Sequence, residues 1–271
     1  MRKDYENYIF DLYGTLVDIH TEENNPLVWK KLALFYGYYD ASYSPEELEE
    51  RYHALIFGEE AQMMSEKKDD VHEAHPEVQI EYIFQKLFLE KGVQADMTLA
   101  IHAGQFFRVM STDYIKLYDG VTELLEELKR RGKNIYLLSN AQRIFTEYEM
   151  HTLGIAEYFD DIFISSECKV KKPDSRFFRM LIEKHQLDVS ESIMIGNDAL
   201  SDIAGAKGIG LDTFYIHSNI SPALEEETYI AADGTEKIRK IMPQADYVLE
   251  EMDMGKVRTM MFQESFSKPT A

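Results

Sequence analysis

Positive charge is what this chain has little of. Its 29 Lys and Arg stand against 49 Asp and Glu, a formal net charge of −20. Such a surface repels nucleic acid, and no basic stripe offsets it. Cysteine is nearly absent. The single Cys168 excludes an intrachain disulfide and fits a reducing cytoplasm. Long apolar runs are missing as well. None approaches the roughly 20 residues that span a bilayer as a helix, so no membrane partner is expected. Met1 to Glu6 enters the first apolar segment with no signal-peptide core before it. What is there is an ordinary globular composition, 45% hydrophobic and 29% charged over 271 residues. That suffices for one large domain or two smaller ones with a sizeable core. A small anionic substrate remains compatible with the charge, provided a lysine, backbone amides or a metal ion helps locally.

The segments alternate strand and helix. Tyr8 to Phe10, Asn134 to Leu138, Asp161 to Ile164, Ile193 to Ile195, Thr213 to Ile216 and Tyr247 to Leu249 read as short buried strands. Helical patterns separate most of them, as at Ile144 to Leu153 and Phe177 to His185. This predicts an α/β fold with a doubly wound parallel sheet. The first gap differs, because most of the residues between Asp11 and Asn134 read as helix. Asn25-Pro26 is a cap with a first-turn proline, and Ser44-Pro45-Glu46-Glu47 is a capping box. Residues 19–112 are therefore read as an inserted α-helical domain, with 1–18 and 113–262 as the core and 263–271 as a flexible tail. Gly58 to Pro76 is polar and predicts a mobile loop. His72 and His75 within it read as solvated, because no zinc-type ligand set accompanies them.

Four segments carry candidate chemistry. Asp11 ends the first apolar strand, and Gly14 permits a tight turn just beyond it. A carboxylate at a strand's carboxyl end can act as a nucleophile. Ser139 ends the strand Asn134 to Leu138 and reads either as a helix N-cap or as a phosphate seat. Lys172 precedes Pro173 and opens a helix, where it could neutralise a bound anion and the attacking carboxylate. Asp198 and Asp202 lie four apart at a helix N-terminus, either as favourable dipole placement or as a site for magnesium, a hard ion held by carboxylates and water.

Taken together, the four segments resemble the haloacid dehalogenase (HAD) superfamily, most of whose members are phosphatases. The likeness covers Tyr8 to Val17 and Tyr118 to Leu249. The inserted helices resemble the cap that one subfamily carries between its first two motifs. The resemblance implies a Rossmann-type core and a magnesium-dependent phosphatase acting on a small phosphorylated metabolite through an aspartyl phosphate. By this likeness Asp11 is the nucleophile, Ser139, Asn140, Thr15 and Lys172 bind the transferring group, Lys172 also steadies the nucleophile, and Thr15 braces the loop. Asp198, with Asp202 or Asn197 behind it, holds magnesium together with Asp11 and the Tyr13 carbonyl.

Tyr13 departs from the phosphatase pattern, which has a second aspartate two residues after the nucleophile. General acid–base catalysis contributes about 10²–10⁴-fold. A tyrosine of ordinary pKa near ~10 stays protonated at neutral pH, so it can donate a proton but is a poor base. The dehalogenase branch itself has tyrosine there. By the same likeness, that branch also uses an arginine in the first cap helix, where this chain has Lys30-Lys31, and a tyrosine six residues after the motif lysine, where this chain has Phe178. It needs no metal, whereas Asp198 is kept here. These differences favour phosphoryl transfer over dehalogenation. A third reading is a scaffold that binds a phosphorylated ligand without turnover.

Overall fold

A computed structural model describes residues 3–66, 75–230 and 236–262. The chain opens with strand β1 (Asn7–Phe10) and, after a turn, β2 (Val17–Thr21). Four helices follow: α1 (Pro26–Gly37), α2 (Pro45–Glu66), α3 (Ile80–Glu90) and α4 (Met97–Ser111). Strand β3 (Thr112–Leu117) then returns antiparallel to β2. The rest alternates: α5 (Val121–Arg130), β4 (Asn134–Ser139), α6 (Arg143–Thr152), β5 (Asp161–Ile164), the short α7 (Ser165–Cys168), α8 (Ser175–His185) and β6 (Ser192–Gly196). A π-helical turn (Ala199–Ala204) leads into α9 (Gly205–Lys207) and β7 (Asp212–Ile216). A hairpin, β8 (Glu226–Ile230) and β9 (Glu236–Lys240), precedes β10 (Tyr247–Leu249) and α10 (Met254–Phe262).

Six strands form one parallel sheet in the order β10-β7-β6-β1-β4-β5. They are the six apolar segments expected from the sequence. β1 lies in the middle because Tyr8, Ile9 and Phe10 are buried on both faces, as a continuous apolar run demands. Tyr8 and Phe10 pack with Leu124, Leu125 and Leu128 of α5 on one face. On the other, Ile9 packs with Phe177, Phe178 and Leu181 of α8. The chain passes from β1 to β4 and β5 on one side, then crosses to β6, β7 and β10 on the other. The carboxyl end of β1 is thus a topological switch point, where open α/β sheets bind ligands.

The inserted helices start where their caps predict. The Asn25 side chain accepts from Leu27 N at 2.9 Å, with Pro26 at the first position. Ser44 Oγ accepts from Glu47 N at 3.1 Å. Their core includes Trp29, Leu32, Phe84 and Phe107, and it extends onto Ile144 and Phe145 of α6.

Three expectations change. Gly58 to Glu66 is not a loop but the last part of α2; His72 lies outside the described residues, and His75 is partly buried with its backbone on the core. Ser139 is not an N-cap, because α6 starts only at Arg143 with Gln142 in the cap position. The helix after Lys172 is capped by Asp174, whose side chain accepts from Arg176 N. The ribbons β2–β3 and β8–β9 add to the strands expected from the sequence. No helix among the described residues is long and apolar enough to cross a membrane.

Candidate active site

Asp11 continues the ladder of β1, donating its N–H to Ile195 O at 3.0 Å. The chain then turns back sharply. Leu16 and Val17 both donate to Leu12 O, and Gly14 donates to Val17 O at 2.8 Å. Gly14 takes φ +82°, the left-handed region that glycine enters without steric cost. The turn aims Asp11 into a buried group. Its Oδ1 accepts from Lys172 Nζ at 2.7 Å and from Ser139 Oγ at 3.4 Å. Its Oδ2 accepts from Thr15 Oγ1 at 3.3 Å. Residues from three of the four sequence segments therefore meet around one carboxylate.

Lys172 is almost wholly buried, and its ammonium has three partners: Asp11 Oδ1 and Asp202 Oδ1, each at 2.7 Å, and Leu138 O at 2.6 Å. That matches the three hydrogens of the group. Burial alone would push its pKa down. Asp11 and Asp202 more than offset this and hold it above the ordinary lysine value. Asp202 is buried as deeply. Burial raises its carboxyl above the usual range, even with Lys172 pulling the other way. Its second oxygen accepts from Asp198 N at 3.0 Å. Asn140 fixes the lysine's main chain. Its Nδ2 donates to Lys172 O at 2.9 Å and its Oδ1 accepts from Lys172 N at 2.8 Å. The side chain expected to bind phosphate is thus engaged in positioning Lys172.

Magnesium, implied by the resemblance, requires oxygen ligands. Thr15 Oγ1 lies 3.3 Å from both Asp11 Oδ2 and Asn197 Oδ1. One hydroxyl hydrogen shared between two acceptors serves neither fully, so these buried oxygens are short of donors. Ser218 and Ser221 hydroxyls accept from Asn197 Nδ2 at 3.4 and 3.3 Å, which turns Oδ1 toward Thr15 and Asp11. An oxygen-lined recess short of protons fits a hard cation. Asp198 stands differently. Its Oδ1 accepts from Leu200 N at 2.8 Å and Ser201 N at 2.9 Å, so that oxygen caps the following turn. The oxygen that shares Thr15 with Asp11 belongs to Asn197.

Tyr13 turns away from this group. Its hydroxyl donates to Glu149 Oε2 at 2.5 Å and lies 3.1 Å from Thr146 Oγ1, both on α6. Burial and the neighbouring Glu149 charge raise its pKa, although Arg108 opposes them. The hydroxyl expected of Tyr13 as an acid donates to Glu149 instead. Sequence reasoning missed Glu149 and Arg108, because nothing in either local segment signals an ion pair between α4 and α6.

Residues 75–79, just before α3, lie against the loops that carry the motifs. His75 O accepts from Lys171 N at 3.0 Å, and Ile80 N donates to Gln142 Oε1 at 3.1 Å. Glu77 accepts from Ser165 Oγ at 3.0 Å and from Gln142 Nε2 at 3.1 Å. A cavity of about 610 Å³ runs between α4, β3 and α6. Arg108 and Glu149 line it, whereas Asp11, Ser139 and Lys172 do not. The buried carboxylate group, rather than this cavity, holds the candidate chemistry.

A family model described as haloacid dehalogenase-like hydrolase matches residues 5–210, and a second, HAD-hydrolase-like, matches residues 170–251. The chain belongs to the haloacid dehalogenase-like hydrolase family. A ribulose-1,5-bisphosphate 5-phosphatase of Halopiger xanaduensis is 28% identical over 56% of this chain and 61% of its own length. A phosphoglycolate phosphatase of Vibrio parahaemolyticus is 32% identical over 46% of this chain and 56% of its own. The matched segment thus spans less than two thirds of either curated relative. The crystal structure of the HAD-hydrolase YfnB from Bacillus subtilis, bound to magnesium, superposes with a TM-score of 0.51 at 18% identity, covering 96% of this chain and 99% of that one. Dehalogenase structures have the same fold too, so fold alone does not separate the two chemistries.

Proposed function

We propose that the protein is a magnesium-dependent, cytoplasmic phosphatase that acts on a small phosphorylated metabolite through an aspartyl phosphate on Asp11. The observation that carries this reading is the buried contact of Asp11 with Lys172, Ser139 and Thr15 at the switch point of the sheet. The two phosphatase relatives support it. Phosphoryl transfer depends on positioning and on charge neutralisation more than on elaborate covalent chemistry. Asp11 Oδ2 attacks phosphorus in line as the bond to the leaving-group oxygen breaks, Lys172 offsets the charge that collects there, and water then cleaves the aspartyl phosphate to release inorganic phosphate and free Asp11. Ser139 and Thr15 donate to the oxygens of the transferring group. Asn140 keeps Lys172 in place. Asp11, the Tyr13 carbonyl and Asn197 Oδ1 hold magnesium, with Asp198 and Asp202 beside them. When bound, the ion supplies positive charge to the phosphoryl oxygens. Residues 19–112 form a cap that keeps water from the site during transfer.

The engaged Tyr13 hydroxyl supports one substrate class. With no carboxylic acid two residues after Asp11, the leaving group departs unaided. Acyl and aryl phosphates do this readily, and simple alkyl phosphates do not. The same tyrosine is the one feature that favours dehalogenation, in which halide leaves without a proton. Single-turnover rates across acyl, aryl and alkyl phosphates and 2-haloacids, with and without magnesium, test the reading. The expected result is magnesium-dependent transfer that falls steeply as leaving-group pKa rises, with the same slope in Tyr13→Phe as in the parent. A flat dependence on leaving group, or turnover confined to 2-haloacids, would overturn it.

A further inference from the structure

Arg108 on α4 donates to Glu149 Oε1 at 2.6 Å and to Oε2 at 3.3 Å. The two side chains are 15% and 10% exposed, so the pair is nearly dry. Glu149 Oε2 is the same oxygen that accepts from Tyr13. The Arg108 guanidinium also lies 5.6 Å from the Tyr13 ring centre and 5.3 Å from that of Phe145. Three separate elements meet at one carboxylate: the last inserted helix, the helix after the phosphate loop, and the turn that carries Asp11.

We propose that Arg108, Glu149 and Tyr13 form a latch through which the docking of α4 on α6 fixes the turn holding the nucleophile. Glu149 is a positioning residue, and it acts on Asp11 through Tyr13. A carboxylate in the interior needs a facing cation, because an unpaired buried charge is costly. Arg108 supplies that cation from the inserted helices, and the carboxylate it orients holds the tyrosine hydroxyl. Charge-assisted hydrogen bonds of this kind are the stronger ones. Withdrawing α4 removes the cation, weakens the Glu149–Tyr13 bond and frees the turn from Leu12 to Val17. The nucleophile is then firmly placed only beneath a docked cap. This deepens the reading of Asp11 as nucleophile and rests on it for the kinetic arm alone.

The test is a double-mutant cycle read by hydrogen exchange of residues 8–18 in the ligand-free protein. Tyr13→Phe removes the hydroxyl but keeps the ring, so any coupling to Arg108→Met passes through Glu149. Each single change should speed exchange of this segment about ten-fold, the scale of a lost charge-assisted hydrogen bond. The double change should add little to either. In a Glu149→Gln background the coupling should vanish, and Arg108→Lys should restore part of the protection. Gln105→Ala, which also cuts an α4–α6 bond through the Ile144 carbonyl, should leave residues 8–18 at the parent's protection. In kinetics, Arg108→Met should lower the rate of Asp11 phosphorylation more than it raises KM. Multiplicative effects in the cycle, or Arg108→Met loosening α4 while residues 8–18 stay protected, would overturn the latch. Exchange reads the coupling even if no phosphate ester is turned over, so failure of the phosphatase reading remains distinguishable.

Discussion

Replacing Gly14 by alanine isolates the contact that shapes the recess proposed to take a cation. Two costs arise, and the structure separates them. The first is backbone. At φ +82° an L side chain is strained by about 1–2 kcal/mol. The second is crowding. A Cβ on Gly14 would sit 2.2 Å from Asn197 Nδ2 and 2.7 Å from its Cγ. Asn197 is itself buried and held by Ser218 and Ser221, so it cannot retreat without losing those bonds. Overpacking of this kind costs about 1–3 kcal/mol. Gly92 has φ +79° with nothing within 4 Å of an added Cβ, so Gly92→Ala carries the backbone cost alone. Chemical denaturation of both variants should show Gly14→Ala less stable than Gly92→Ala by about 1–3 kcal/mol. In a chain of this size that is a further fall in Tm of roughly 2–12 °C. Magnesium titration by calorimetry should show a weakened site in Gly14→Ala and an unchanged one in Gly92→Ala. Equal stability losses in the two variants would refute the claim that Asn197 is held against the Gly14 backbone.

Other expectations follow from the same geometry. Lys172→Met leaves Asp11 and Asp202 buried without their shared cation. It should abolish transfer and cost about 3–5 kcal/mol in urea unfolding; a loss under about 1 kcal/mol would place the charge balance elsewhere. Asn197→Ala should weaken magnesium binding at least about ten-fold, the effect of a lost interaction worth about 1.4 kcal/mol. Asp198→Ser, which keeps a capping oxygen, should change it little, and the reverse order would return the ligand role to Asp198. Burial raises the Glu77 carboxyl despite Lys171 and Ser165, which act to lower it. A carboxyl raised in the folded state favours folding at low pH, and that contribution is lost as pH climbs through the raised value. Glu77→Gln should therefore raise Tm at pH 7 and give no gain at pH 4; a gain of equal size at both would contradict the raised carboxyl.

The sheet was legible because its six strands are short apolar runs, most of them set apart by helices, and a run as short as Tyr8 to Phe10 suits a buried parallel strand better than a helix. The inserted helices announced themselves through Asn25-Pro26 and Ser44-Pro45. The ribbon of β2 and β3 was not legible, since Val17 to Thr21 and Thr112 to Leu117 mix polar and apolar residues and gain their partners only after about ninety residues of chain, a pairing no local pattern encodes. Asp11, Ser139 and Lys172 could be gathered from the sequence because each sits at a strand end or before a proline. The partition of Asn197, Asp198 and Asp202 could not, because it depends on which oxygens the local backbone amides capture. Glu149 and Arg108 are ordinary helical residues in sequence, and only the packing of α4 on α6 brings them to Tyr13.

If Asp11 takes the phosphoryl group, incubating the parent with magnesium and acetyl phosphate, quenching in acid and mapping the peptides by mass spectrometry should find it there. The expected product is one acid-stable, hydroxylamine-labile phosphoryl group on the peptide containing Asp11, absent in Asp11→Asn and in Lys172→Met. Turnover of acetyl phosphate with no label on that peptide at any quench time, or equal turnover by Asp11→Asn, would contradict it.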